Sequence, residues 1–189
     1  MNLFYILFFI AALGLIWGIS IYHDLIRSRA LVDEAWSGIS EQLKRRFGLI
    51  PKLIGVLKNY GKGDSEPLEK VNQLRNAAAY TSPFDIPAQA QASEALSQGL
   101  RTIFALAEND NDLKAITAFT EIQTALQKVE HDLQHNRRSY NAIVREYNIK
   151  CESFPSNVIA YLLQFSKKAF FESTNREEVQ NVEISLTKI

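Results

Sequence analysis

The sequence has one cysteine, Cys151, so no intramolecular disulfide framework forms and nothing in it requires an oxidising compartment. It has no net charge either. Its 21 Lys plus Arg balance 21 Asp plus Glu, which removes the basic field that draws a protein to nucleic acid. No window before the C-terminal tail alternates apolar and polar residues as a strand does, and so no Gly-rich phosphate loop follows a strand. Finally, no charged side chain occurs from Met1 to Tyr22.

What is present is a chain of 189 residues, 47% apolar and 22% charged, which suits one folded domain with a short appendage. The uncharged start supplies the appendage. As a helix, Leu3 to Tyr22 rises about 30 Å, enough to cross the hydrocarbon core. Tyr5, Trp17 and Tyr22 lie towards its ends, where amphipathic rings favour the interface. A cleaved secretory signal has a basic start, a shorter apolar core and a small-x-small cleavage site. Here no Lys or Arg precedes the run and residues 18–23 offer a poor site, so residues 1–24 read as an uncleaved anchor. Arg27 and Arg29 follow the span while its N-terminal flank carries no positive charge. The positive-inside rule then puts Met1 outside and the remainder in the cytoplasm. Gly14 and Gly18 are four residues apart and share a helix face that another backbone can approach, although glycine is common in membrane helices without that role.

Residues 25–172 read as a helical bundle domain and 173–189 as a tail. No Gly or Pro interrupts Ile19 to Ser37, so the anchor is expected to run straight into a long first helix. Val32, Trp36, Ile39, Leu43, Ile50, Leu53, Leu57 and Tyr60 step by three and four, with Arg46 the charged member of the stripe. Pro51 predicts a kink near Gly48–Pro51. Gly61-Lys62-Gly63 predicts the end of that helix, with Asp64 or Ser65 capping the next. A short second helix is expected over Glu66 to Tyr80, then a loop through Pro83 and Pro87. A third follows over Ala88 to Ala107, with Ala92, Leu96, Leu100, Ile103 and Leu106 inward. Asn109 to Asp112 reads as a turn and cap cluster. A long fourth helix over Asp112 to Lys150 repeats the three-four stepping from Phe119 to Tyr147, with Asn136 its polar member. The fold class expected is all-α: a transmembrane helix followed by an antiparallel four-helix bundle with long first and fourth helices.

After Phe154-Pro155, with Ser156 the expected cap, comes an apolar segment with Val158, Leu162 and Phe165, followed by Lys167 and Lys168. Packing against the bundle base is its expected role, since the segment is short and its polar face is not strongly basic. The alternative is an interfacial helix at the lipid surface. Val182, Ile184 and Leu186 alternate weakly in the tail, as a strand or a frayed end would.

The chemistry-bearing residues are few. His131 and His135 share a helix face, as in the His-Glu-x-x-His zinc arrangement, with Asp132 where Glu stands there. They lie off the apolar stripe, lack an evident third ligand, and Asp is short for the base role, so a solvated face is the reading adopted. Cys151 has no His partner. Lys44-Arg45-Arg46 and Arg137-Arg138 have no interleaved aromatic platform and read as salt-bridged or solvated faces. Neither a catalytic set nor a cofactor or metal site emerges. Arg46 and Asn136, polar within apolar stripes, and Trp36 are instead candidates for setting register or assembly.

The segments Val32-Asp33-Glu34-Ala35-Trp36-Ser37, Gln42 to Arg46 running to Leu49-Ile50-Pro51-Lys52-Leu53, Val144-Arg145-Glu146-Tyr147-Asn148, Phe154-Pro155-Ser156-Asn157 and Phe170-Phe171-Glu172 occur in an ordered set. With the anchor, this set resembles the LemA family of bacterial membrane proteins. The resemblance implies an anchor with a short external N-terminus and an antiparallel helical bundle, and it carries no enzymatic activity or cofactor across. Gly48, Lys52 and His23 depart from the family's usual Asp, Asn and Asn, so no polar role transfers to those positions. The function expected is a non-enzymatic scaffold in the bacterial cytoplasmic membrane, self-assembling or presenting its bundle to a protein partner. The alternatives are a metal-dependent hydrolase built on His131 and His135, or a membrane-surface sensor. Lipid and a second copy are the expected partners, and nucleic acid is not.

Overall fold

Helix formation follows the sequence closely but not everywhere. The computed structural model describes residues 2–59, 65–108 and 111–172. Among them are helices α1 (Asn2–Asn59), α2 (Ser65–Tyr80), α3 (Ile86–Glu108), α4 (Asn111–Lys114), α5 (Thr117–Glu152) and α6 (Ser156–Leu162), and no strand. The all-helical expectation holds. The turn and cap expected over residues 61–64, the Ser65 side chain, Tyr60, Asn109, Asp110 and the tail pattern all lie outside the described residues.

Pro51 sits inside α1 without ending it. Its missing N–H leaves the Phe47 carbonyl without the usual helical donor. Arg75 of α2 supplies one, its Nε donating to that oxygen at 3.3 Å. At α3 the expected start moves back two residues, because Pro87 needs no donor in a first turn. Asp85 Oδ1 accepts from the Ala88 N–H at 3.1 Å and so caps the helix. Leu106, expected inward, is exposed, and Ala107 takes the core position. Leu96, Leu100, Ile103 and Ala107 step by four, three and four, which keeps to one face better than a second step of three.

The expected fourth helix is broken. α4 closes with Ala115 N–H donating to Asp112 O and Ile116 N–H to Leu113 O, and α5 starts at Thr117. No breaker residue marks the place. Leu113 and Phe119 are both buried, with Ile116 packed on the same cluster. A spacing of three turns side chains progressively off one α-helical face, so a tighter turn between α4 and α5 lets all three reach the core.

The chain divides into two compact units, Met1–Ile39 with His135–Phe170, and Ser40–Gln134 with Phe171–Ile189. In the second, Ile50, Leu53 and Leu57 of α1 join Leu68 and Val71 of α2, Leu96 and Leu100 of α3, and Phe119 and Leu126 of α5. Gly99 permits the close α2–α3 approach: a Cβ there would meet Val71 Cγ2 at 3.0 Å. In the first unit, Leu25, Val32 and Ile39 of α1 are buried, as are Tyr140, Val144 and Tyr147 of α5 and Ala160 of α6. The stripe read along α1 is thus the buried face in both units, Arg46 included.

Candidate functional site

Within the second unit, Arg46 is only 2% exposed, and burial pulls its ionisation below the usual arginine value while Glu130 and Glu94 push it back up. A guanidinium does not lose its proton under such pressure, so it has to be partnered. Nη2 donates to Ser97 Oγ at 2.8 Å and lies 3.2 Å from Glu130 Oε2, and Nη1 lies 3.4 Å from both the Ser93 carbonyl and Ser93 Oγ. Ser97 Oγ is itself 3.1 Å from the Ser93 carbonyl and 3.3 Å from Glu130 Oε2. Beside this network lies a cavity of about 660 Å³, with Leu100, Phe104, Phe119 and Leu126 as its apolar wall and Arg46, Ser97, Glu130 and His131 among its polar lining. The partners Ser93, Ser97 and Glu130 escaped sequence reading. Their only signal was two serines four residues apart on the mostly apolar face of α3, in line with Gln89.

In the first unit, Asn136 Nδ2 donates to the Gly38 carbonyl at 3.2 Å. Trp36 packs on Tyr140 with ring centroids 5.7 Å apart. With Arg46, all three assembly candidates therefore meet residues of their own chain. α5 also holds the non-helical segment that follows α6. Tyr147 Oη donates to Ser166 O at 3.1 Å and Tyr140 Oη to Ala169 O at 2.9 Å. Asn148 brackets Lys168, accepting from its N–H at 2.8 Å and donating to its carbonyl at 2.9 Å. This gives the Val144-to-Asn148 segment a physical role: it replaces the backbone partners that a helix would have provided.

Burial, with the Asp33 carboxylate adding to it, pushes the Tyr140 phenol up to about 12. Burial and then the Cys151 thiol raise Tyr147 to about 12. A free tyrosine ionises near 10, so the unfolded chain loses these protons first. The stability they contribute is complete below about pH 10 and is lost as pH rises through about 12. A urea midpoint followed across that window should fall more steeply for the parent than for the Tyr140→Phe/Tyr147→Phe variant. Equal slopes would remove the assignment.

α6 ends with Gln164 at φ 56°, its N–H donating to Tyr161 O and that of Phe165 to Ala160 O. This is the paired-bond helix stop usually built on glycine, here with a residue that strains to adopt it. Ser156 does not cap α6; its Oγ donates back to the Lys150 and Ser153 carbonyls, at 2.6 and 3.0 Å. The Lys150 carbonyl lies in the last turn of α5, where helical donors run out and a serine hydroxyl substitutes, while the Ser153 carbonyl also accepts from the Asn157 N–H at 2.9 Å. Lys167 pairs with Glu152 at 2.6 Å and Lys168 with Asp33 at 3.3 Å. Val158 and Leu162 are exposed and Phe165 is half-buried against Tyr22, ring centroids 6.2 Å apart. Nothing lies within 4 Å of a Cβ placed on Gly14, while one on Gly18 would meet Ile159 Cδ1 at 3.8 Å.

His131 and His135 are exposed on α5. No three His, Cys, Asp or Glu side chains are grouped as a metal site among the described residues. The basic run at 44–46 divides by helix face: Arg46 goes inward and Arg45 pairs with Glu41 at 2.6 Å.

A sequence model described as the LemA family matches residues 35–186. A curated relative, Protein LemA of Metamycoplasma hominis, is 26% identical over 193 aligned positions, covering 98% of this chain and 84% of its own length.

Proposed function

Given that this chain belongs to the LemA family, we propose that it is a single-pass membrane protein, a non-enzymatic scaffold whose helical domain assembles with further copies or is presented to a partner. The carrying observation is α1 itself. It runs unbroken from Asn2 to Asn59, and its apolar side chains from Phe4 to Ile19, among them Phe8, Phe9, Leu15 and Trp17, are left uncovered. In water that surface would drive aggregation; in lipid it needs no cover, and the helix satisfies its own backbone. Farther along, the same helix carries the buried stripe, so the span and the domain share one rod. Arg27 and Arg29 support a cytoplasmic domain with the N-terminus outside, in a bacterial inner membrane.

The domain is read as an antiparallel four-helix bundle of α1, α2, α3 and α5. Along α1, the partners Asp24, Trp36 and Gly38 meet Lys150, Tyr140 and Asn136 of α5, in descending order. Self-association is read from the open Gly14 face. Full-length protein should resist alkaline extraction from membranes with residues 2–22 still attached by mass spectrometry, and should run as more than one copy in mild detergent. A mature chain lacking that segment removes the anchor. A strictly monomeric particle removes the assembly.

A further inference from the structure

The apolar surface of the first unit does not end with α1. Phe154 is 82% exposed, Tyr161 86% and Leu162 67%, with Val158 and Leu163 also exposed, all within ten residues of chain. α6 buries Ala160 and leaves these outward. Its position along α1 gives them meaning. The Asp24–Lys150 ion pair, at 2.7 Å, marks the first charged level of α1. Moving from there towards the N-terminus, Tyr22 meets Phe165, and Gly18 meets Ile159. Six residues of helix separate Gly18 from Asp24, a rise of about 9 Å. α6 therefore lies on the apolar side of the charged level, beside the last turns of the proposed span.

We propose that α6 and its flanks, through Phe154, Val158, Tyr161, Leu162 and Leu163, are seated in the bilayer interface as a second, monotopic membrane contact beside the anchor. The occupant of this surface is lipid, because α6 and the segment after it pack beside Gly18 and Tyr22 of the helix read as the span; the inference rests on the anchor reading above. An interfacial helix buries its apolar face about 5–10 Å into the headgroup and acyl boundary, which matches the offset between Gly18 and Asp24. The contact works by insertion and not by charge: Lys167 and Lys168, which follow α6, are already engaged by Glu152 and Asp33. It also differs from the membrane-surface sensor that is the alternative reading of the sequence, since the most exposed apolar groups of this segment are Phe154 and Tyr161.

The test uses the full chain in phosphatidylcholine proteoliposomes, with Cys151→Ala removing the native thiol. Nitroxide labels are placed singly at Tyr161→Cys, at Phe8→Cys within the span and at the exposed Ser37→Cys. Tyr161 is so exposed that its replacement leaves the fold intact, which helical circular dichroism verifies. The ratio of oxygen to nickel-chelate accessibility at Tyr161 should move at least halfway from the Ser37 value to the Phe8 value, and by the same amount when anionic lipid is added. A Tyr161 label that reads like Ser37 while Phe8 reads lipid overturns this inference and leaves the anchor standing. Low accessibility to both reagents means a second copy covers α6, which also overturns it. Entry only into anionic vesicles overturns insertion in favour of charge attraction. A Phe8 label open to nickel overturns the anchor and this inference with it.

Discussion

Glu130→Ala should lower the unfolding free energy by about 3 kcal/mol, whereas Arg46→Met should change it by less than about 1 kcal/mol in either direction. The asymmetry comes from which partner is left behind. Removing Glu130 leaves a guanidinium that is almost fully buried with the hydroxyls of Ser93 and Ser97 and one carbonyl as hydrogen-bond partners, and with the Glu94 carboxylate acting on it without a direct hydrogen bond. Removing the charge of Arg46 strands a carboxylate that is 32% exposed and can return to water. The lower end of the range for a broken buried pair applies to Glu130 because that exposure screens part of the attraction. Methionine keeps most of the arginine stem against Leu43 and Ile50, its neighbours in the buried stripe, so the packing term largely survives. The double variant Arg46→Met/Glu130→Ala should be more stable than Glu130→Ala alone, and a urea series on all four proteins in detergent measures the coupling. Arg46→Met losing as much as Glu130→Ala would refute this account. Arg46→Met that stays stable but changes particle mass would instead identify Arg46 as an assembly determinant.

Asn148→Ala should cost about 2 kcal/mol and free the segment after α6. One side chain there replaces a backbone partner twice over, accepting from the Lys168 N–H and donating to the Lys168 carbonyl. Its removal leaves a donor and an acceptor unmatched in a half-buried place, and a half-buried place does not hydrate freely. Asn148→Asp keeps the acceptor and loses the donor, so its loss should fall between zero and that of the alanine. Hydrogen exchange at the Lys168 amide reads the effect directly: protection should drop many-fold in Asn148→Ala and less in Asn148→Asp. Unchanged protection would mean that Tyr140 and Tyr147 hold the segment without it. The same variant bears on the interfacial seat, because the Lys168–Asp33 pair sits on the segment Asn148 holds.

The parts legible in sequence were those carried by repetition. Seven buried members of the α1 stripe, from Val32 to Leu57, occupy the positions that steps of three and four assign. The boundaries of α2 and the reach of α5 to Glu152 came within two residues of expectation. Less legible were features set by a single local balance. The break between α4 and α5 has no proline or glycine to announce it, and arises from three apolar side chains spaced by threes competing for one core. Ser156 looks like a helix cap, but it is the first residue of α6 and its hydroxyl serves the end of the previous helix. Arg46 stood out as an anomaly in an apolar stripe, but its partners lie 47 to 84 residues away in sequence and no spacing rule connects them.

The sequence by itself determined that this protein is helical, that α1 begins apolar, and that one face of that rod is buried, because periodicity and uncharged length act locally along a chain. Family membership was legible there too, in the order of its short segments. Tertiary structure alone decided what the polar members of the stripes touch, which carbonyl Arg75 rescues, and which side chains of α6 its own chain leaves exposed. Those outcomes depend on residues meeting across helices. The apolar run after Pro155 does not show in sequence which of its side chains stay exposed; its placement beside Gly18 and Tyr22 comes from contacts across helices.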